Sequence, residues 1–308
     1  MNAHVLDAGS PATCQPLTCG RPLAQCPVAN RPLAEAQRAA LREAGFAVTE
    51  TAPGRGMALH VRGDAWLSPA ALEQLARAHG PCVLREESGG ALAWIGGPTG
   101  EETGMERLLA DRDSFRIRYA WDLLRVNERL VGAMDRDAVE GEISPAAHIE
   151  GRLALGSGSR ILPGVYVEGN VVIGAGCKVG PNCYLRGNTS IGDGCHIGQA
   201  VEIKNSILMR NVAIGHLSYC GDSIVGEGVN FGAGTITANF RHDGKPHRSM
   251  AGGVLVDTGR RKLGAIVGDG VHTGIHTSIY PGRKLWPGTA TRPGAVIERD
   301  LTVPREGE

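Results

Sequence analysis

From Ile143 to Ile203 every sixth residue is a branched aliphatic: Ile143, Ile149, Leu155, Ile161, Val167, Ile173, Val179, Leu185, Ile191, Ile197 and Ile203. A period of six fits neither the roughly 3.6-residue turn of a helix nor the two-residue alternation of a strand, so it marks a repeat of short elements. Glycine follows many of these positions, as in Ile173-Gly174, Val179-Gly180, Ile191-Gly192 and Ile197-Gly198, and the residue four places on is often small or β-branched: Cys177, Cys183, Thr189, Cys195, Val201. In a narrow prism the aliphatic points inward, the smaller residue packs beside it, and glycine gives the backbone freedom at the corner. Three hexads make one triangular coil. Stacked coils form a left-handed parallel β-helix of the hexapeptide-repeat kind, a departure from the usual right-handed crossover that only a long repeat justifies. The expected fold class is mainly β, with the coil over residues 142–308.

Glycine, at 45 of 308 residues, is about twice its ordinary share, and most of the excess serves the corners. Lys plus Arg equals Asp plus Glu, 32 of each, so no global field points to nucleic acid or to an anionic membrane, and any anion site must be local. No apolar run approaches the roughly 18 residues that span a bilayer, and the N-terminus lacks a basic stretch followed by an apolar one. A soluble, cytoplasmic protein is expected. The eight cysteines show no C-x-x-C pair suited to zinc. Cys177, Cys183 and Cys195 take the small inward position, and Cys177 and Cys195, one coil apart, should stack about 4.8 Å from each other. They read as reduced core thiols, with a disulfide or metal role as the alternative.

Residues 1–115 are of another kind. A Pro-rich opening is followed by a helical run from Ala34 to Ala44 closed by Gly45, then a strand ending in the turn Gly63-Asp64, then a helix from about Pro69 to His79, which together describe a small α/β unit. Residues 116–141 hold an amphipathic linker helix from Tyr119 to about Met134, with Trp121, Leu124 and Val131 on one face. After Ile203 the period slips to five at Leu208, returns to six at Ile214 and Cys220, slips again at Val225, and continues through Phe231 and Thr237. An insertion, 240–262, then interrupts the coil before the hexads resume at Val267, Thr273, Ile279, Leu285, Thr291 and Ile297. Long loops on rigid scaffolds tend to carry function or subunit contacts.

Four patches break the run of small outward residues: Tyr184-Leu185-Arg186, Val201 to Ser206, Gly215 to Asp222, and Val229 to Asn239. Arg186 and Lys204 are eighteen residues apart, hence on the same face of adjacent coils, where two stacked cations suit an anion. His216 lies two residues after the inward Ile214, but a corner breaks strand alternation, so spacing leaves the direction of its imidazole open. Glu202, Tyr219, Asn230 and Asn239 fall in neighbouring coils.

These patches resemble the acetyltransferase half of the bifunctional glucosamine-1-phosphate acetyltransferase and uridylyltransferase family. The insertion, with Asp257-Thr258-Gly259-Arg260-Arg261-Lys262-Leu263-Gly264 and then Thr273-Gly274-Ile275, is closer still to the archaeal-type sugar-1-phosphate nucleotidylyltransferase and amino-sugar-1-phosphate acetyltransferase proteins. The resemblance implies that His216 is a general base, that Arg186 and Lys204 hold a sugar phosphate, and that Tyr219 and Asn230 hold the sugar. It further implies that Ala233 and Asn239 line the acetyl-CoA side, that Lys245 reaches the substrate from the insertion, and that the site lies between subunits of a homotrimer. Arg248 stands where the archaeal-type proteins use a second lysine. The runs Pro16-Leu17-Thr18 and Pro27 to Leu33, with Gly63-Asp64, resemble the start and the metal-binding turn of sugar-1-phosphate nucleotidylyltransferases, but the Gly-rich phosphate loop is missing, so this half reads as a degenerate remnant in which Asp64 could hold a magnesium ion but, following a strand, reads more simply as a turn former.

The residue types suit the chemistry. An amino sugar is mostly protonated at neutral pH, and a neutral imidazole with a pKa near roughly 6.5 can take its proton before it attacks the thioester of acetyl-CoA. Glu202 would orient His216 or hold the ammonium beforehand. The oxyanion formed on the acetyl carbonyl suits backbone N–H groups, and Gly232-Ala233-Gly234 permits their close approach. No metal is required. The expected function is an amino-sugar-1-phosphate N-acetyltransferase using acetyl-CoA as co-substrate. One rival is a catalytically inactive sugar-phosphate or nucleotide-sugar binding trimer. Another is a metal-dependent trimer like the γ-class carbonic anhydrases, with His272 and His276 as candidate ligands but no third partner.

Overall fold

The aliphatic ladder folds into three parallel sheets wrapped around one core. Face one runs from Ala138–Val139 through Leu153–Leu155 and Val171–Ile173 to Lys284–Leu285; face two begins at Glu142–Ile143 and face three at His148–Glu150. In this computed structural model, which describes residues 1–51, 56–97, 100 and 103–302, the ladder positions are register partners. Ile143, Ile161, Val179, Ile197, Ile214, Phe231 and Thr273 succeed one another on face two, and Leu155, Ile173, Ile191, Leu208, Val225, Val267 and Leu285 do so on face one. Nearly all are fully buried, each contributing roughly 1.5–3 kcal/mol of apolar burial. Ile143, in the first coil, stays 36% exposed because only one neighbouring coil covers it.

Each coil takes eighteen residues up to Ile203 and seventeen in the middle coils, where Ile203 pairs with Cys220 and Leu208 with Val225, and eighteen again beyond the insertion, where Val267 pairs with Leu285 and Ile279 with Ile297. The lost residue comes from the corner between faces three and one, where Leu208 follows Ile203, and Val225 follows Cys220, by five positions in place of six. The coil also begins earlier than the ladder predicts, at the strand Ala138–Val139, which pairs with Ala154 and Leu155. All eight cysteines are free thiols. Cys177, Cys183 and Cys195 are buried, and the Sγ atoms of Cys177 and Cys195 donate to the carbonyls of Gly192 and Met209, each at 3.1 Å.

The insertion leaves the coil after Asn239 and returns at Leu263, whose amide donates to the Asn239 carbonyl. Its body is a hairpin of Arg248–Ala251 against Val254–Asp257, turned by Gly252 and Gly253, both with positive φ. The buried imidazole of His247 pins its base, with Nε2 2.9 Å from the Asn239 carbonyl oxygen.

The chain divides into two compact units, one of residues 1–11, 21–26 and 31–118, the other of residues 12–20, 27–30 and 119–308. Two N-terminal segments thus belong with the coil. The coil's unit also holds the linker helix α3 (Asp122–Gly132), whose Trp121, Leu124 and Val131 are buried as expected. Asn127 fastens α3: Nδ2 donates to the Asn188 carbonyl, and Oδ1 accepts from Ser190 Oγ and from the Ala29 amide, all at 2.8 Å.

The first unit is α/β. Its six-stranded sheet has the order Ala47–Thr49, Asn2–Val5, Ala58–Val61, Ala91–Gly96, Cys82–Arg85, Glu106–Leu109. Helix α1 (Leu33–Glu43) ends at Gly45 with φ +85°, and α2 (Pro69–Ala76) is capped by Ser68 Oγ, which accepts from the Ala71 amide at 3.0 Å. Asp64 is a turn former held by two arginines: Arg62 Nε lies 2.9 Å from its carboxylate and the Arg116 guanidinium closes the other side.

Candidate active site

Face three carries the polar cluster. Arg186 and Lys204 are register partners on adjacent strands, as their spacing requires. Each cation has its own carboxylate. Arg186 Nη2 lies 2.6 Å from Glu202 Oε1, and Lys204 Nζ lies 2.9 Å from Asp222 Oδ2. The first pair is about one-third exposed, at 34% and 30%; the second is sunk, at 14% and 4%. The Arg186 guanidinium also lies over the Tyr184 ring, 5.2 Å from its centre.

Glu202 is followed in register by Tyr219, and Asn239 joins Tyr219 to the sunk pair: its Nδ2 donates to the Tyr219 hydroxyl at 2.9 Å and to Asp222 Oδ2 at 2.6 Å. Gly221 leaves room for this contact, since a Cβ there would lie 2.3 Å from the Tyr219 hydroxyl. Burial, reinforced by Asp222 and Glu202, pushes the Tyr219 phenol up to about 12 against the opposing pull of Arg186 and Asn239. The phenol is therefore a neutral hydrogen-bonding group at physiological pH.

Sequence reasoning gave Asp222, Asn205, Glu128 and Arg260 no role, yet they extend this cluster. Asn205 Nδ2 donates to Asp222 Oδ1 at 3.0 Å and to Glu128 Oε1 of α3 at 2.8 Å, and Arg260 of the insertion reaches the same Glu128 oxygen at 2.5 Å. The overlooked signal is the shortened coil. Lys204's register partner is Gly221, so an aspartate eighteen residues after Lys204 falls one place past it, at the corner.

The structure brings together Arg186, Glu202, Lys204, Tyr219 and Asn239, and sets His216, Ala233 and Asn230 elsewhere. His216 ends the face-two strand Ala213–His216, pairs in register with Gln199, and is exposed where Leu217 turns the corner with φ +50°. That answers the question spacing left open. Ala233 follows one coil on, with the Gly234 amide donating to the His216 carbonyl at 3.2 Å and the Ala233 carbonyl accepting from the His276 amide at 2.7 Å. The His276 ring covers Gly234, where a Cβ would lie 2.5 Å from Nδ1. Asn230 is exposed on face two between Ala213 and His272. His196, also on face two, has its imidazole held below the usual range by burial, then by Lys178 and His216. Lys245 is exposed in the insertion, beside the Arg241–Asp243 ion pair. Asn239 thus stands with Tyr219 and Lys204 rather than beside Ala233, and Glu202 is engaged by Arg186. Among the described residues no group of three or more His, Cys, Asp or Glu could hold a metal ion, and no helix is long and apolar enough to cross a membrane.

A family model described as the GMPPB C-terminal domain matches residues 167–282. The chain is 48% identical over 102 residues to a bifunctional sugar-1-phosphate nucleotidylyltransferase/acetyltransferase of Sulfurisphaera tokodaii, covering 33% of this chain and 25% of that one. It is 52% identical over 185 residues to the bifunctional protein GlmU of Methanococcus maripaludis strain C7, covering 60% of this chain and 44% of the relative. It spans less than half the length of these relatives. Among solved structures, UDP-N-acetylglucosamine acyltransferase from Campylobacter jejuni aligns loosely, with a TM-score of 0.29 and 12% identity over 54% of this chain and 68% of that one. By sequence, the C-terminal part of this chain is homologous to the bifunctional sugar-1-phosphate nucleotidylyltransferase/acetyltransferases.

Proposed function

We propose that the chain is an acetyl-CoA-dependent N-acetyltransferase acting on an amino-sugar 1-phosphate such as glucosamine-1-phosphate or galactosamine-1-phosphate, and that its N-terminal unit has lost nucleotidyl transfer. The observation that carries this reading is the face-three cluster, in which Arg186 and Lys204 stack beside Glu202, Tyr219 and Asn239 within the homologous part of the chain. The substrate is zwitterionic, and so is the cluster. The phosphate takes hydrogen bonds from Arg186 and Lys204, charge-assisted and hence the strong kind. Glu202, the more exposed carboxylate, holds the ammonium, while Tyr219 and Asn230 meet sugar hydroxyls and Lys245 closes from the insertion.

His216 takes a proton from the ammonium, the freed amine attacks the acetyl carbonyl, and the thioester C–S bond breaks as the amide forms; the departing thiolate takes the proton back from His216 and the nitrogen's second proton goes to solvent. Backbone N–H groups near Ala233 meet the oxyanion. Because His216 and Asn230 lie on face two and Ala233 at the turn that follows it, whereas the cluster lies on face three, a homotrimer that sets one subunit's corner against its neighbour's face three would complete the site. Loss of nucleotidyl transfer is supported by Asp64, whose carboxylate is already claimed by Arg62 and Arg116.

The test is thiol release from acetyl-CoA with each amino-sugar phosphate. Wild type should turn over, and His216→Ala should lose about 100- to 10,000-fold, the usual worth of a general base, with unchanged thermal stability because the side chain is exposed. Absence of turnover with every amino-sugar phosphate would overturn the reading in favour of an inactive binding trimer.

A further inference from the structure

Resting on the acetyltransferase reading, we infer that Asp222 is the positioning residue of the sugar-phosphate site: its carboxylate sets the direction in which Lys204 and Asn239 face the substrate. The Asp222 side chain is 4% exposed. A carboxylate so buried is tolerated only when its oxygens are satisfied, and here three side chains do so: Lys204 Nζ at 2.9 Å and Asn239 Nδ2 at 2.6 Å on Oδ2, and Asn205 Nδ2 at 3.0 Å on Oδ1.

The backbone holds Asp222 as firmly. Its amide donates to the Lys204 carbonyl and its own carbonyl accepts from the Gly264 amide, both at 2.8 Å, so the residue is clamped between the preceding coil and the point where the chain returns from the insertion. Its φ of +49° belongs to the left-handed region that aspartate and asparagine enter more readily than other side chains.

The consequence for the site follows from donor and acceptor chemistry. An ionised carboxylate only accepts, so Asn239 must turn its NH₂ group toward Asp222, and one amide hydrogen goes there while the other goes to Tyr219. That fixes the amide flip and leaves Oδ1 of Asn239 as the atom offered to a ligand hydroxyl or ammonium. Lys204 commits one ammonium hydrogen to Asp222 and keeps two for phosphate oxygens. Without the charge at position 222, both side chains lose their orientation while the reacting atoms at His216 are untouched. Asn205 stiffens the arrangement by carrying a second bond from the same Nδ2 to Glu128.

Asp222→Asn tests this cleanly, because asparagine keeps the shape and tolerates the backbone. The variant should raise KM for the amino-sugar phosphate about 10- to 100-fold, the scale of one charge-assisted contact, with kcat and the KM for acetyl-CoA within about threefold of wild type on the same scale. The Tyr219 phenol should titrate at lower pH in the variant, since Asp222 is one of the charges that hold it up. An active wild type whose sugar-phosphate KM is unchanged in Asp222→Asn, or a loss confined to kcat, would overturn the inference and leave the proposed function standing. A wild type without turnover would instead remove the reading on which it rests. If Asp222→Asn does not accumulate as folded protein, Asn205→Gly, which suits the φ of +45° at that position, should raise the same KM by a smaller factor; no change there counts against the role of Asp222.

Discussion

Asp64 and Asp222 are both aspartates at turns that follow a strand, and each is held by cations or amides, yet one is closed and the other is not. Around Asp64 the donors are two guanidinium groups, from Arg62 and Arg116, and the Asp64 carbonyl takes the Ile117 amide at 2.7 Å. Around Asp222 they are an ammonium and two carboxamides, each with a further hydrogen or oxygen turned elsewhere. A pair of arginine forks uses up a carboxylate and makes it structural. A lysine and an asparagine use it as an anchor and keep polar atoms for a ligand. What separates a structural turn from a site is therefore the donor set, and not the aspartate itself.

The largest effect should come from breaking the second arrangement. Lys204→Ala removes the proposed phosphate donor and strands a carboxylate that is 4% exposed, so kcat/KM for the sugar phosphate should fall about 100-fold or more, and stability should fall by roughly 3 kcal/mol. Asp64→Asn should cost only about 1–3 kcal/mol of stability and leave thiol release within twofold on the scale of a remote substitution. Steady-state kinetics and urea melts of the two variants check both halves. An equal loss of turnover in both would erase the distinction between anchor and closure.

Much of the contrast is legible in the amino-acid sequence. The ladder declares the prism because eleven aliphatics in one register leave little choice, and its period turns the Arg186–Lys204 spacing into a stacked pair. Asp222 is not legible there, because its place depends on the corner that shortens by one residue after Ile203, and a side chain at a corner obeys no strand alternation. For the same reason the direction of His216 follows from the turn at Leu217 and not from spacing. The membership of residues 12–20 and 27–30 in the coil's unit leaves no periodic trace, since Cys14, Leu17 and Val28 are buried singly rather than in a repeat. The coil's start at Ala138–Val139 is hidden by exposed polar neighbours.

Lys284 offers a third way to bury charge and sharpens the comparison at a smaller effect. It is 1% exposed, its Nζ donates to the Gln15 carbonyl at 2.9 Å, and it lies 5.4 Å from the centre of the Trp121 ring. Burial pushes its ammonium down to about 8 although Asp300 and Cys14 pull the other way. The folded pKa is depressed below the unfolded value of about 10.4, so between these values the unfolded chain binds more protons and this group's contribution to stability rises with pH. Lys284→Met should flatten the dependence of Tm on pH across that window and move Tm little at neutral pH, where relief of the buried charge offsets the lost carbonyl contact. An unchanged slope in the variant would assign the pH dependence to other groups.

Tyr219 gives the finest test, because it reports on Asp222 without requiring turnover. Its phenol is raised to about 12, whereas an unfolded tyrosine titrates near about 10. The folded state binds the proton more tightly, so the stabilisation is fully present below the unfolded value and is lost as pH rises toward the folded one. Subtracting the phenolate absorbance of Tyr219→Phe from that of wild type isolates one phenol among five tyrosines. The difference curve should show a midpoint well above the ordinary range, and repeating it on the Asp222→Asn background should shift that midpoint down. Turnover of Tyr219→Phe should fall only a few-fold, the worth of roughly one neutral hydrogen bond, because Asn239 would keep its contact with Asp222. If the Tyr219 midpoint is ordinary and indifferent to residue 222, the buried carboxylate does not govern this cluster, and Asp222 would belong beside Asp64 as a closed structural turn.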